Sequence, residues 1–89
     1  MTRIKIRLAP LLHSYTNGTA IVQAQGTTLE EIFADLDRQY PGIRFRLLDE
    51  QHCLRRHMRC FVNETDVRDI ATKLRGGDQV FIVGALSGG

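Results

Sequence analysis

Alternation is the first pattern along the chain. From Arg3 to Leu8 the residues run cation, aliphatic, cation, aliphatic, so Ile4, Ile6 and Leu8 fall on one side of an extended backbone and Arg3, Lys5 and Arg7 on the other. This predicts a strand with one buried face, ended by Pro10. Asn17-Gly18, two residues that tolerate positive φ, predicts a turn, and Thr19 to Ala24 predicts a second strand antiparallel to the first.

The period then changes. Thr28-Leu29-Glu30-Glu31 has the spacing of a capping box, in which the Thr28 hydroxyl takes the amide of Glu31 and the Glu31 carboxylate reaches back to the amide of Thr28. Leu29, Ile32, Phe33, Leu36 and Tyr40 recur at helical spacing and form one apolar stripe, and Tyr40-Pro41-Gly42 stops it. Ile43 to Leu48 reads as a short irregular or helical turn. A third strand is expected from His57 to Asn63, then a polar turn over Asn63 to Asp66, and a short strand or helical turn over Ile70 to Leu74. Gly76-Gly77-Asp78 predicts a turn before a last strand from Gln79 to Val83. The fold class is therefore α+β: a β-grasp roll with a mixed sheet of four to five strands and one main helix packed on one face.

Length and composition narrow the picture. With 89 residues, 43% hydrophobic and 25% charged, the chain is expected to form one ordered domain over residues 1–85, followed by a flexible tail over 86–89. The longest apolar stretch, Val80 to Leu86, is far short of the roughly 20 residues that span a bilayer, so no membrane partner is expected. No secretory pattern precedes the two cysteines, which points to a reducing, cytoplasmic setting. The net charge of +2 is clustered: Arg44, Arg46, Arg55, Arg56 and Arg59 crowd the middle of the chain. A small RNA-binding module is one reading of that cluster, but aromatic residues to stack on bases are not interleaved with it, and no nucleic-acid partner is expected.

Four zinc-ligand types, His52, Cys53, His57 and Cys60, fall within nine residues. A strand from His57 onward would send His57 and Cys60 to opposite faces, which argues against a metal site; a buried Cys60 with exposed histidines is expected instead. No phosphate loop, base-activated nucleophile or paired acid is present, so a stand-alone enzyme is not expected.

The chain ends in chemistry of another kind. Gly76-Gly77 precedes a strand and is explained by turn geometry, whereas Gly88-Gly89 precedes no element. A terminal carboxylate is a poor electrophile until joined to AMP as a mixed anhydride, when it accepts a nucleophile readily. Leu86-Ser87-Gly88-Gly89 lacks ring or β-branched bulk and suits threading through a narrow channel to a nucleotide.

In its order of motifs the chain resembles the ThiS/MoaD family of ubiquitin-like sulfur carriers, and within it looks closest to the CysO-like branch. The resemblance is carried by Thr27-Thr28-Leu29, Tyr40-Pro41-Gly42-Ile43, Val62 to Arg68, Gly77-Asp78-Gln79-Val80 and Gly88-Gly89. It implies a ubiquitin-like β-grasp fold and a protein cosubstrate in place of an enzyme. It also implies two partners: an E1-like adenylating enzyme that uses ATP and Mg²⁺, and a sulfur-acceptor enzyme. Gly89 would become a thiocarboxylate that donates sulfur in the biosynthesis of cysteine, methionine, thiamin, molybdopterin or a thioacid natural product. Some members of such families form isopeptide bonds instead; with Lys5 and Lys73 the only lysines, extensive self-conjugation is disfavoured. The chain itself is expected to bind no cofactor and to be monomeric when free.

Alternation also predicts the docking surface. If Val80, Ile82, Cys60 and Val62 face the helix, then Phe61, Phe81 and Val83 face outward as an apolar patch, flanked by Arg59, Arg3 and Lys5.

Overall fold

A computed structural model describes residues 3–84. Strand β1 (Arg3–Leu8) shows the alternation expected of it: Ile4, Ile6 and Leu8 are buried and the three cations exposed. A 3₁₀ helix over Pro10–Tyr15 puts Leu12 into the core. Asn17 and Gly18 both take positive φ and return the chain to β2 (Ile21–Gln25), antiparallel to β1 with Ile6 opposite Val22.

Helix α1 (Leu29–Gln39) starts at Thr28, whose hydroxyl accepts the Glu31 N–H at 3.2 Å. The return contact differs from the expected capping box: the Glu31 carboxylate takes the N–H of Thr27 at 2.7 Å, one residue earlier. The Thr28 backbone is instead bridged to Lys73. Gly26 allows this tight entry, because a Cβ there would lie 2.7 Å from the Glu31 Cβ and 3.1 Å from the backbone of Ile32. Of the apolar stripe, Leu29, Ile32, Phe33 and Leu36 are buried at 1% exposure or less, while Tyr40, the residue that caps the helix, is half-buried against the core. Each such side chain contributes about 1.5–3 kcal/mol by leaving water.

The Tyr40-Pro41-Gly42 stop leads into a second short helix, α2 (Ile43–Leu47), with Gly42 in left-handed conformation as its cap. Asp37, from α1, accepts the N–H groups of Gly42 and Arg44 and so supplies the capping oxygen. Ile43 and Leu47 lie on one side of α2 and are fully buried.

Strand β3 (Met58–Val62) begins one residue later than expected, with His57 in the preceding turn. The polar run after it is only half turn: Asn63 and Glu64 make the reversal, both at positive φ, and Thr65–Val67 forms β4, antiparallel to β3. Ile70 to Leu74 forms neither strand nor helix; it is a turn tied to α1 through Leu29 N–H to Thr72 and Leu74 N–H to Thr27. Gly77, at φ 93°, completes the tight turn closed by Asp78, and β5 (Gln79–Gly84) follows.

The five strands lie in the order β2-β1-β5-β3-β4. The last strand is thus the central one, parallel to β1 and antiparallel to β3. Cutting the chain after Gly77 would remove the middle of the sheet, which makes the inner diglycine part of the scaffold.

Candidate docking face and the strand that leads to the tail

Because β5 is central and its side chains alternate, it is inward at Val80 and Ile82, at 1% and 0% exposure, and outward at Phe81, at 40%. Phe61 lies directly across on β3, with ring centroids 6.4 Å apart and planes tilted by 36°. On the other side Arg7 is the cross-strand partner of Phe81, and its guanidinium carbon sits 5.8 Å from the ring centroid. Arg7, Phe81 and Phe61 therefore form one row across the open face, continued by Ile21 on β2 and Asp66 on β4. Lys5 and Gln79 form the next row. All of these groups but Asp66 line a concavity of about 750 Å³.

Phe61, Phe81 and Val83 thus share the face that alternation assigned to them, with Phe61 and Val83 half-buried. The flanking cations are placed less evenly. Lys5 lines the concavity. Arg59 stands beside Val83 in register but is engaged by Asp66 of β4 at 3.2 Å, an exposed pair of small energetic weight. Arg3 is on the same face at the far end of β1, some six strand positions from the level of Val83, roughly 20 Å. Arg7 was the cation missed as a flank; the same parity that placed Arg3 and Lys5 outward applies to it.

Val83 and Gly84 are the final described residues of the central strand, opposite Arg59 and Met58. Leu86, Ser87, Gly88 and Gly89 lie outside the described residues.

The histidine–cysteine stretch does not converge. Cys60 is buried on the inner face at 1% exposure, which pushes its thiol up to about 12 through desolvation, with the nearby Asp66 charge adding to it. Cys53 is exposed, and His52 accepts a hydrogen bond from Arg44 at 2.9 Å. Among the described residues no three metal-ligating side chains come together, and no helix is long and apolar enough to cross a membrane.

Comparison with known proteins gives this geometry a family. A family model described as the ThiS family matches residues 9–89, through both terminal glycines. The chain belongs to the ThiS family. Relatives of this ThiS-family chain from Mycobacterium tuberculosis and Mycobacterium bovis, each named sulfur carrier protein CysO, are 35% identical over 91 residues. The match covers 97% of this chain and 98% of theirs. A chain of the Amycolatopsis orientalis BexX/CysO complex superposes with a TM-score of 0.90 at 31% identity, over 97% of this chain and 99% of that one. The crystal structure of Mycobacterium tuberculosis CysO does so at 0.87 and 34%, over 93% and 99%. The β-grasp roll is therefore the ubiquitin-like arrangement of the CysO structures, with five strands and the main helix packed on one face.

Proposed function

We propose that this ThiS-family chain is a sulfur carrier whose reactive group is the carboxylate of Gly89. The observation that carries the reading is the extent of the family match, which runs from residue 9 through Gly89 and includes the diglycine. In this reading the carboxylate attacks the α-phosphorus of ATP in an E1-like partner that holds Mg²⁺, releasing pyrophosphate and leaving an acyl-adenylate. A sulfur nucleophile then displaces AMP, and the resulting thiocarboxylate passes its sulfur to an acceptor enzyme in the cytoplasm. The partner supplies the catalytic groups; this chain supplies an electrophile that fits a narrow channel because glycines bring no Cβ.

The open face is the natural grip for the adenylating partner. Phe61, Phe81 and Val83 provide apolar contact, and Arg7 and Lys5 provide cations beside it. Phe81 lies on β5, the strand that precedes the tail in sequence, so a partner holding Phe81 would also orient the tail.

Incubation with an E1-like enzyme, ATP, Mg²⁺ and sulfide, read by intact mass, tests this. One oxygen-to-sulfur exchange located on the terminal peptide is expected, lost on deletion of Gly88 and Gly89. Lysine conjugates in place of that exchange would make the chain a protein modifier, and a mass unchanged by any competent adenylating enzyme would end the sulfur-carrier reading.

A further inference from the structure

The largest exposed apolar group of the described residues is not on the open sheet face. It is Phe45, 60% exposed, on the outer side of α2. Burial of Ile43 and Leu47 on the inner side of that helix forces Arg44, Phe45 and Arg46 outward, on the helical side of the sheet. Arg55 closes over Phe45, its guanidinium carbon 4.9 Å from the ring centroid and its Nε donating to the Phe45 carbonyl at 2.9 Å. Arg56 is exposed next to it.

Among the described residues none of these four guanidinium groups is ion-paired with a carboxylate. The ion pairs of the described residues are Arg38 with Asp35 and Arg59 with Asp66. Two of the acids near the patch are engaged by backbone: Asp37 accepts the N–H groups of Gly42 and Arg44, and Asp49, which also feels the Arg55 charge, those of Gln51 and Cys53. Beside Phe45 lies another concavity, about 400 Å³, lined by Arg44 and Leu48 but also by Asp37, Asp49 and Glu50, and these carboxylates bound the basic patch on that side.

We infer that α2 and Arg55-Arg56 form a second docking surface, for an acidic protein segment that carries an apolar side chain. The apolar group would cover Phe45, outside the acid-lined concavity, while carboxylates meet Arg44, Arg46, Arg55 and Arg56. Arginine suits the task because its planar fork pairs bidentately with carboxylates and it is weakly hydrated. RNA fits less well. Phe45 is the one exposed aromatic side chain of this surface, so successive bases would find no second stacking platform. This surface does not depend on the sulfur-carrier reading, since it shares no residue with the face that carries Phe61 and Phe81.

Fluorescence anisotropy at low salt tests it, with a labelled peptide of alternating glutamate and leucine as probe and a lysine–leucine peptide and a single-stranded RNA as comparators. The glutamate–leucine peptide is expected to bind most tightly and to weaken as salt rises. F45A and R44E/R46E should each weaken it about tenfold. K73E/R75E, which changes net charge by the same amount elsewhere on the surface, should leave it unchanged, with circular dichroism confirming that all variants fold. Equal binding of the two peptides, tighter binding of RNA, or equal losses in R44E/R46E and K73E/R75E would each overturn the assignment.

Discussion

The carboxylate of Asp35, on α1, accepts the backbone N–H of Gln25, on the edge strand β2, at 2.9 Å. One turn later Gln39 donates both to the Gln23 carbonyl and to Asp35, each at 2.9 Å. An edge strand offers unpaired backbone groups to any other strand that approaches. Here the helix covers part of that edge with its own side chains.

Removing the cover in D35A/Q39A should lower stability by about 1–2 kcal/mol and allow concentration-dependent association through β2. Urea melts and sedimentation velocity read the two effects, and a variant as stable and monomeric as the parent would show that the edge needs no cover. The effect has a pH signature. Asp35 is held below the usual carboxylate range, first by the Arg38 guanidinium and then, against desolvation, by the Gln25 N–H and the Gln39 amide. Its folded pKa is thus lower than its unfolded one, so its contribution is complete above the ordinary value of 3.8 and fades as pH falls through the folded value. The gap between parent and variant should close in acid. Glu31, Asp49 and Asp78 shift in the same direction, led by backbone N–H groups of Thr27, Cys53 and Arg75, so the parent should lose stability over the same acid range.

The reversal between β3 and β4 gives the opposite sign. Asn63 and Glu64 sit at φ 48° and 77°, a two-residue turn that favours Asn-Gly. Asn63 justifies its position: its side chain donates to Asp78 at 2.8 Å and accepts the Gln79 N–H at 2.9 Å, joining the hairpin to β5. Glu64 makes no comparable bond among the described residues, and its left-handed backbone is costly for a residue with a Cβ. E64G is therefore expected to stabilise by about 0.5–1 kcal/mol after glycine's entropy is counted, and a lower melting temperature would contradict it.

This hairpin also marks where the sequence stops being legible. Period-two patterning in Arg3–Leu8 and Gln79–Gly84, and the helical stripe of α1, each involve enough residues to name their own buried face. Strand β4 has three residues, exposed, exposed and half-buried, and exists only because β3 lies beside it. Its pairing is non-local information that a polar run does not contain. The Ile70 to Leu74 segment is similar, since its backbone is held by α1 and not by its own periodicity. For the docking face, parity was sufficient to find Phe61, Phe81 and Val83, but the register between β1 and β5 was needed to see that Arg7, and not Arg3, stands next to Phe81. The Phe45 surface required knowing that Ile43 and Leu47 both point inward.

If the open face grips the adenylating partner, Phe81 is its centre. F81A and R7E should each raise the KM for this chain as cosubstrate by about tenfold with kcat little changed, because the contact is lost equally in ground and transition states. R3E, at the remote end of β1, should have a much smaller effect. Thermal melts should move little for F81A, since the ring is already 40% exposed. Equal losses for R3E and R7E would mean that general charge attraction, and not a patch around Phe81, governs the encounter.

The two cysteines should differ in reactivity, and the difference bears on reading any sulfur at the chain end. The thiolate is the nucleophile in alkylation, and burial has pushed the Cys60 thiol up to about 12, so near neutral pH it is overwhelmingly protonated as well as buried on a strand flanked by β4 and β5. Cys53 is exposed in the loop before β3. Brief treatment of the folded protein with iodoacetamide should therefore add one carbamidomethyl group, on Cys53, and the same treatment in urea should add two. A thiocarboxylate would add a further alkylation on the terminal peptide, separable by digestion, and C53A would leave that group as the single labelled site in the native state. Labelling of Cys60 in the folded protein as fast as Cys53 would mean that β3 parts from the core on the timescale of the reaction, which its central pairing with β5 argues against.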